Sequence, residues 1–203
     1  MDKQTVIEGT RRWISSMVIG LNLCPFAQRV FKADKIRYVV TDAKDETPLL
    51  KELAGEVEAL ASSSISAVET TLLIHPRVLR NFLDYNDFLE VGERLVENLG
   101  LRGTIQIASF HPDYQFAGTD PDAVENFTNR SPYAMLHLLR EDSISEVASD
   151  PNELLEIPRR NIETLRGLGR QKILEKLKTA GQRKCGGQAG TQSARAPAGR
   201  LLR

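Results

Sequence analysis

The chain has 203 residues, 41% of them hydrophobic and 27% charged, with 27 Lys+Arg against 27 Asp+Glu, the profile of an ordinary globular protein large enough for one core. The balance gives neither the basic field of a nucleic-acid binder nor the acidic field of a solvating chain. No apolar run is long enough to cross a bilayer, and the start MDKQTVIEGTRRW lacks the basic-then-apolar order of a signal peptide. The expectation is a cytoplasmic protein with neither nucleic acid nor membrane as partner. Its two cysteines, Cys24 and Cys185, suit a reducing compartment and not a disulfide scaffold.

Residues 3–20 place Val6, Trp13 and Met17 together with Ile7, Ile14, Val18 and Leu21 at spacings of 3, 4 and 7, the stripe of an amphipathic helix ending at Gly20. IRYVVT (36–41) alternates and is β-branched, so it reads as a strand. Thr47 and Pro48 then read as a cap and first-turn proline, opening a helix through Leu50, Leu53, Val57 and Leu60. TTLLIHP (70–76) is a nearly continuous apolar run, as in a strand covered on both faces. A helix with the stripe Phe88, Val91, Leu95 and Leu99 stops at Gly100, and TIQIASF (104–110) is a third strand. The β-α-β-α-β order predicts an α/β fold: a small, mainly parallel sheet of three or four strands flanked by helices, with a helical C-terminal part.

In that C-terminal part, caps are expected at Asp120-Pro121, Ser131-Pro132 and Asp150-Pro151, with a Ser143-x-x-Glu146 capping box. Pro158 is expected to divide the last pattern into two short helices. Residues 180–203 carry five basic side chains, no acid and no aromatic, whereas residues 1–179 hold 22 basic and 27 acidic. The division is thus a single α/β domain over 1–179 and a disordered basic tail over 180–203.

In an open parallel sheet, ligands bind beyond the strands' carboxyl ends, and His75 and His111 stand at two such ends. NRSPYAMLHLLRE (129–141) reads as a helix capped by Ser131 and started by Pro132, which puts Tyr133, His137 and Glu141 on one face. Two histidines and a carboxylate, His111, His137 and Glu141, would then form a metal-ligand set with open positions, for an unknown cofactor such as a divalent transition metal. Arg130 beside a helix start suits a carboxylate or phosphate, so a small anionic molecule is the expected partner. Asn129, Asn22 and Tyr114 are the further substrate-binding candidates, the last in the long loop SFHPDYQFAGTDPD. Cys24, in the loop after the first helix, is a candidate nucleophile or soft ligand.

The blocks GLNLCPFA, SFHPDYQFAG and NRSPYAMLHLLRE resemble a bacterial family known as domain of unknown function 1415, from about Trp13 to Leu168. The resemblance implies membership and no catalytic assignment. Ala134 stands where the family more often has proline, and the stretch after Thr179 looks foreign to the pattern.

Three functions compete. One is a metal-assisted enzyme with His111, His137, Glu141 and Cys24 as its catalytic group, acting on an anionic substrate in a polar pocket at the carboxyl edge of the sheet. Another is a metal-free hydrolase or transferase in which Cys24 attacks and a histidine moves the proton. The last is a non-catalytic ligand-binding or assembly protein whose polar cluster is a hydrogen-bonded network. The sequence leaves oligomeric state open.

Overall fold

In a computed structural model, residues 2–145 and 151–181 are described, with side chains over 2–143 and 156–181. The four strands are β1 (Ile36–Val40), β2 (Thr70–Ile74), β3 (Ile105–Phe110) and β4 (Met135–Arg140), in the order β1-β2-β4-β3. β1 and β2 are parallel, while β4 runs antiparallel to both neighbours. The sheet is therefore mixed and not mainly parallel. The two crossovers, through α3 (Glu46–Ser62) and α4 (Phe82–Asn98), are those expected. The second leaves a strand-wide gap between β2 and β3, and β4 fills it.

β4 is the stretch read from sequence as a helix. Met, Leu and Arg favour helices only by tenths of a kcal/mol each, and burial decides otherwise here. An extended chain between β2 and β3 directs Leu136 and Leu138 into one apolar layer and Met135 into the other, so the pleat buries both faces at once. Ser131-Pro132 caps nothing helical: Ser131 Oγ donates to Tyr133 O at 2.7 Å within an extended turn.

Helices cover both faces. α3 and α4 bury Leu53, Val57, Phe88 and Val96 against Leu73, Ile105, Leu136 and Leu138. On the other side α1 (Lys3–Trp13), a π-helical turn (Ile14–Ile19), α6 (Pro151–Leu168) and α7 (Arg170–Gly181) set Val6, Trp13, Met17, Leu165 and Ile173 against Leu72, Ile74 and Met135. Short helices α2 (Ala27–Lys32) and α5 (Glu141–Ser145) complete the set.

Several local expectations shift. α3 begins at Glu46 with Asp45 in the cap position, so Thr47 and Pro48 fall inside its first turn. Asp120-Pro121 forms a turn, with Asp120 Oδ1 accepting from Asp122 N at 2.8 Å, and a 3₁₀ helix follows only at Val124–Thr128. Pro158 does not break α6, because losing one backbone donor is tolerable in a helix of 18 residues. The break comes at Gly169, whose φ of +81° suits glycine. α6 does start at Pro151. Asp150 and Glu146 lie outside the described residues, as does the tail beyond Gly181, where α7 ends. Among the described residues no helix is long and apolar enough to cross a membrane.

Candidate functional site

The sheet face toward α1 presents residues of all four strands: Ile36 from β1, Thr70 and Leu72 from β2, His137 and Leu139 from β4, Ala108 and Phe110 from β3. A cavity of about 310 Å³ lies over them, roofed by the end of α1, the π-helical turn, the Cys24 loop and α2, and reached by Ser143 and Ile157. That size is at the lower end of small-molecule sites. Most of its wall is apolar, with Trp13, Val18, Phe26, Val30 and Phe110 among the lining side chains.

The roof's shape follows from the π-helical turn. Ser15 and Ser16 both donate their hydroxyls to Arg12 O, at 3.0 and 2.8 Å, which widens the turn so that Gly20 N and Leu23 N each reach back five residues, to Ser15 O and Val18 O. Such turns recur at functional sites. Asn161 Nδ2 of α6 donates to Leu23 O at 2.8 Å and fixes the start of the Cys24 loop. Cys24 is a free, partly buried thiol, and burial pushes its pKa up despite backbone hydrogen bonds from Phe26 and Ala27. It is a protonated thiol at neutral pH, without the thiolate a nucleophile requires.

Two pairs account for four of the polar side chains of the wall. His137 Nε2 and Thr70 Oγ1 are 2.7 Å apart, and Thr70 Oγ1 is 2.6 Å from Leu138 O. The single hydroxyl proton goes to the carbonyl, so the imidazole donates from Nε2 and carries its lone pair on Nδ1. Burial lowers the His137 pKa to about 4, and the ring is neutral at pH 7. Next to Thr70 the Glu69 side chain, 2% exposed, receives both terminal nitrogens of Arg29, Oε2 taking Nη1 at 3.1 Å and Oε1 taking Nη2. The fork supplies the counter-charge that a buried carboxylate needs. Glu69, Thr70 and Arg29 do not stand out in the sequence, since the pair spans 40 residues. A charge directly before the fully buried run TTLLI is the one local sign that it must find a partner.

The cavity thus occupies the end of the sheet where β1 and β2 begin, not the carboxyl edge, and only Cys24 and His137 of the sequence-derived candidates line it. Glu141 lines a separate charged groove with Glu90, Glu93, Arg94, Glu97 and Arg102. In a strand, four residues from His137 to Glu141 span about 13 Å instead of one helical turn, so the proposed metal-ligand set is not assembled. Among the described residues no three His, Cys, Asp or Glu side chains converge as metal ligands.

The carboxyl edge is filled instead by an aromatic cluster. His75 stacks on Tyr85 at 5.6 Å, and Tyr85 and Phe82 both pack on His111. His75 Nδ1 lies 3.1 Å from Val78 O; His111 Nε2 lies 3.2 Å from Leu79 O while its Nδ1 accepts from Asp113 N at 3.0 Å. Both rings therefore brace the loop before α4. Tyr85 Oη donates to Met135 O at 2.9 Å and accepts from Phe110 N at 3.0 Å, tying β3 to β4.

The four substrate-binding candidates serve the chain itself. Arg130 donates from Nε to Tyr114 O and from Nη2 to Pro121 O, and its guanidinium lies over the Phe127 ring at 4.6 Å. Asn129 Nδ2 donates to Ser109 O at 3.0 Å. Tyr114 packs between Phe82 and Phe116. Asn22 is an exposed turn residue at φ +52°. The long loop is organised by the fully buried Asn126, whose Oδ1 accepts from Phe116 N and Thr119 Oγ1 and whose Nδ2 donates to Asp120 O.

A family model described as protein of unknown function (DUF1415) matches residues 5–175. Comparison with curated proteins and with solved structures gave no match.

Proposed function

The chain belongs to the DUF1415 family, which brings no activity with it, and from the cavity alone we propose that the protein binds one small, mostly apolar molecule between the sheet and the α1 layer. The carrying observation is the cavity of about 310 Å³ beside a wall whose ion pair and His–Thr pair are already satisfied. A space walled by apolar groups gains from an apolar guest about 25 cal/mol for each Å² taken from water. The guest's body is accordingly hydrophobic, and binding at this cavity takes precedence over metal-assisted chemistry.

Trp13, the only tryptophan, lines the cavity, and its emission serves as the test. Benzyl alcohol and n-hexanol are titrated into the full-length protein and into Ala108→Leu, whose added methyl groups occupy the space beside His137. A saturable change in the parent that weakens at least tenfold in Ala108→Leu supports the proposal. A change that is absent, or equal in both proteins, rejects it.

The second reading, a Cys/His enzyme, is favoured by one observation: Cys24 and His137 line the same cavity. Chemistry there would start from a neutral thiol and a neutral imidazole, so the imidazole would have to take the thiol proton as attack occurs. Its test is alkylation of Cys24.

A further inference from the structure

Two polar atoms at the junction of β4 and α5 are buried without a hydrogen-bond partner: Arg140 Nε and Ser143 Oγ. Their residues are three apart in the chain and both line the cavity. Buried donors are almost always satisfied, and each one left unmade costs about 1–3 kcal/mol. Nothing within the described residues uses this pair.

The surroundings narrow what would. Arg140 Nη2 donates to Leu60 O and to Ser63 O and Oγ, so the guanidinium caps the carboxyl end of α3, whose carbonyls offer only partial charge. Among the described residues no carboxylate stands within ion-pair distance of Arg140. Glu69, the nearby acid of the cavity wall, is committed to Arg29 through both oxygens. His137 and Thr70 satisfy each other. The residues at one end of the cavity therefore carry a full positive charge, an unused guanidinium N–H and an unused hydroxyl, while the ion pair and the His–Thr pair of its wall are already engaged.

Resting on the proposed binding function, we infer that the bound molecule is a monocarboxylate with an apolar body, one carboxylate oxygen taking the Arg140 Nε–H and the other the Ser143 Oγ–H. Two donors and one unit of charge match a carboxylate. A phosphate presents three oxygens and up to two charges and would need further donors. A neutral alcohol or ester would use the hydroxyl and leave the guanidinium uncompensated.

The experiment compares benzoate with benzyl alcohol, and n-hexanoate with n-hexanol, by Trp13 emission of the full-length protein at pH 7, in the parent, Ser143→Ala and Arg140→Lys. Ser143 Oγ has no partner, so its removal should leave the unfolding temperature unchanged, whereas Arg140→Lys loses its contacts to α3 and is read only if it remains folded. The expected result is carboxylates binding at least tenfold more tightly than the matching alcohols, with carboxylate affinity falling threefold or more in Ser143→Ala and the preference over alcohols falling with it. Alcohols binding as well as or better than carboxylates, or a carboxylate preference untouched in Ser143→Ala, overturns the inference and leaves the cavity function standing. No binding of any of the four overturns both.

Discussion

His137 Nε2 stands 2.7 Å from Thr70 Oγ1 across the β2–β4 pairing, and the threonine passes its own proton to Leu138 O. Two neighbouring strands are thereby fixed by a hydrogen-bond chain in which the imidazole is the donor, and what opposes protonation of the ring is its burial. Burial holds the folded-state pKa of His137 at about 4, and that of His75 also at about 4, against about 6.5 in an unfolded chain. Between those values the unfolded state binds more protons, so stability falls as pH drops from 6.5 towards 4. From pH 7 to pH 5 the loss should be about 2 kcal/mol per histidine. Urea unfolding at both pH values measures it, and His137→Gln should remove about half of the difference. An unchanged pH dependence in that variant would assign the acid sensitivity to other groups.

The Arg29–Glu69 fork joins α2 to the start of β2 and forms part of the cavity wall. Arg29→Ala leaves a buried carboxylate without its counter-charge and should destabilise by about 2 kcal/mol, less than for a wholly buried pair because Arg29 is itself half in solvent. The double variant Arg29→Met with Glu69→Gln should recover most of that loss. Equilibrium unfolding of the single and double variants checks both statements.

Gly20 ends the π-helical turn with no room for a side chain, since an added Cβ would meet Ser16 O at 2.5 Å. Gly20→Ala must move the backbone that roofs the cavity, and a destabilisation of about 1–3 kcal/mol is expected. Gly55→Ala, at a helical site with open space around it, should be neutral or stabilising by a few tenths of a kcal/mol up to about 1 kcal/mol. Thermal unfolding of the two variants is the measurement.

These positions also show how far the sequence could be read. Helices α1, α3 and α4 and strands β1 to β3 follow from periodicity because each buries one stripe, or, in β2, a continuous run. β4 escaped because Met135–Arg140 is made of good helix formers behind a Ser-Pro pair, and only the gap between β2 and β3 makes it a strand. With the helix went the His137–Glu141 pairing. The site was half legible: Cys24 and His137 meet at one cavity, but their company, Glu69, Arg29, Thr70 and Arg140, is assembled from α2, β4 and the start of β2 and carries no spacing that a single sequence displays. Arg130 and Asn129 looked like ligand contacts because a guanidinium and an amide are equally good at holding backbone carbonyls, which is how both are used.

Cys24 supplies a chemical check. Burial raises its thiol pKa, so alkylation by iodoacetamide at pH 7 should be slower than for a free thiol in a peptide and should still be rising above pH 9. Benzyl alcohol at saturating concentration should slow it further, because Cys24 lines the occupied space. Rapid alkylation with a midpoint below pH 8 would instead support the Cys/His enzyme reading. Cys185→Ser confines the readout to Cys24.

The most direct measurement is a methyl-labelled NMR titration of the full-length protein with benzyl alcohol. Shifts confined to Ile14, Val18, Ile36, Leu72 and Leu139, which line the cavity, with Leu53, Val57 and Leu60 beyond the sheet unmoved, are the result predicted. Shifts centred on the α3–α4 layer, or scattered with no saturable set, would contradict a ligand site between the sheet and α1.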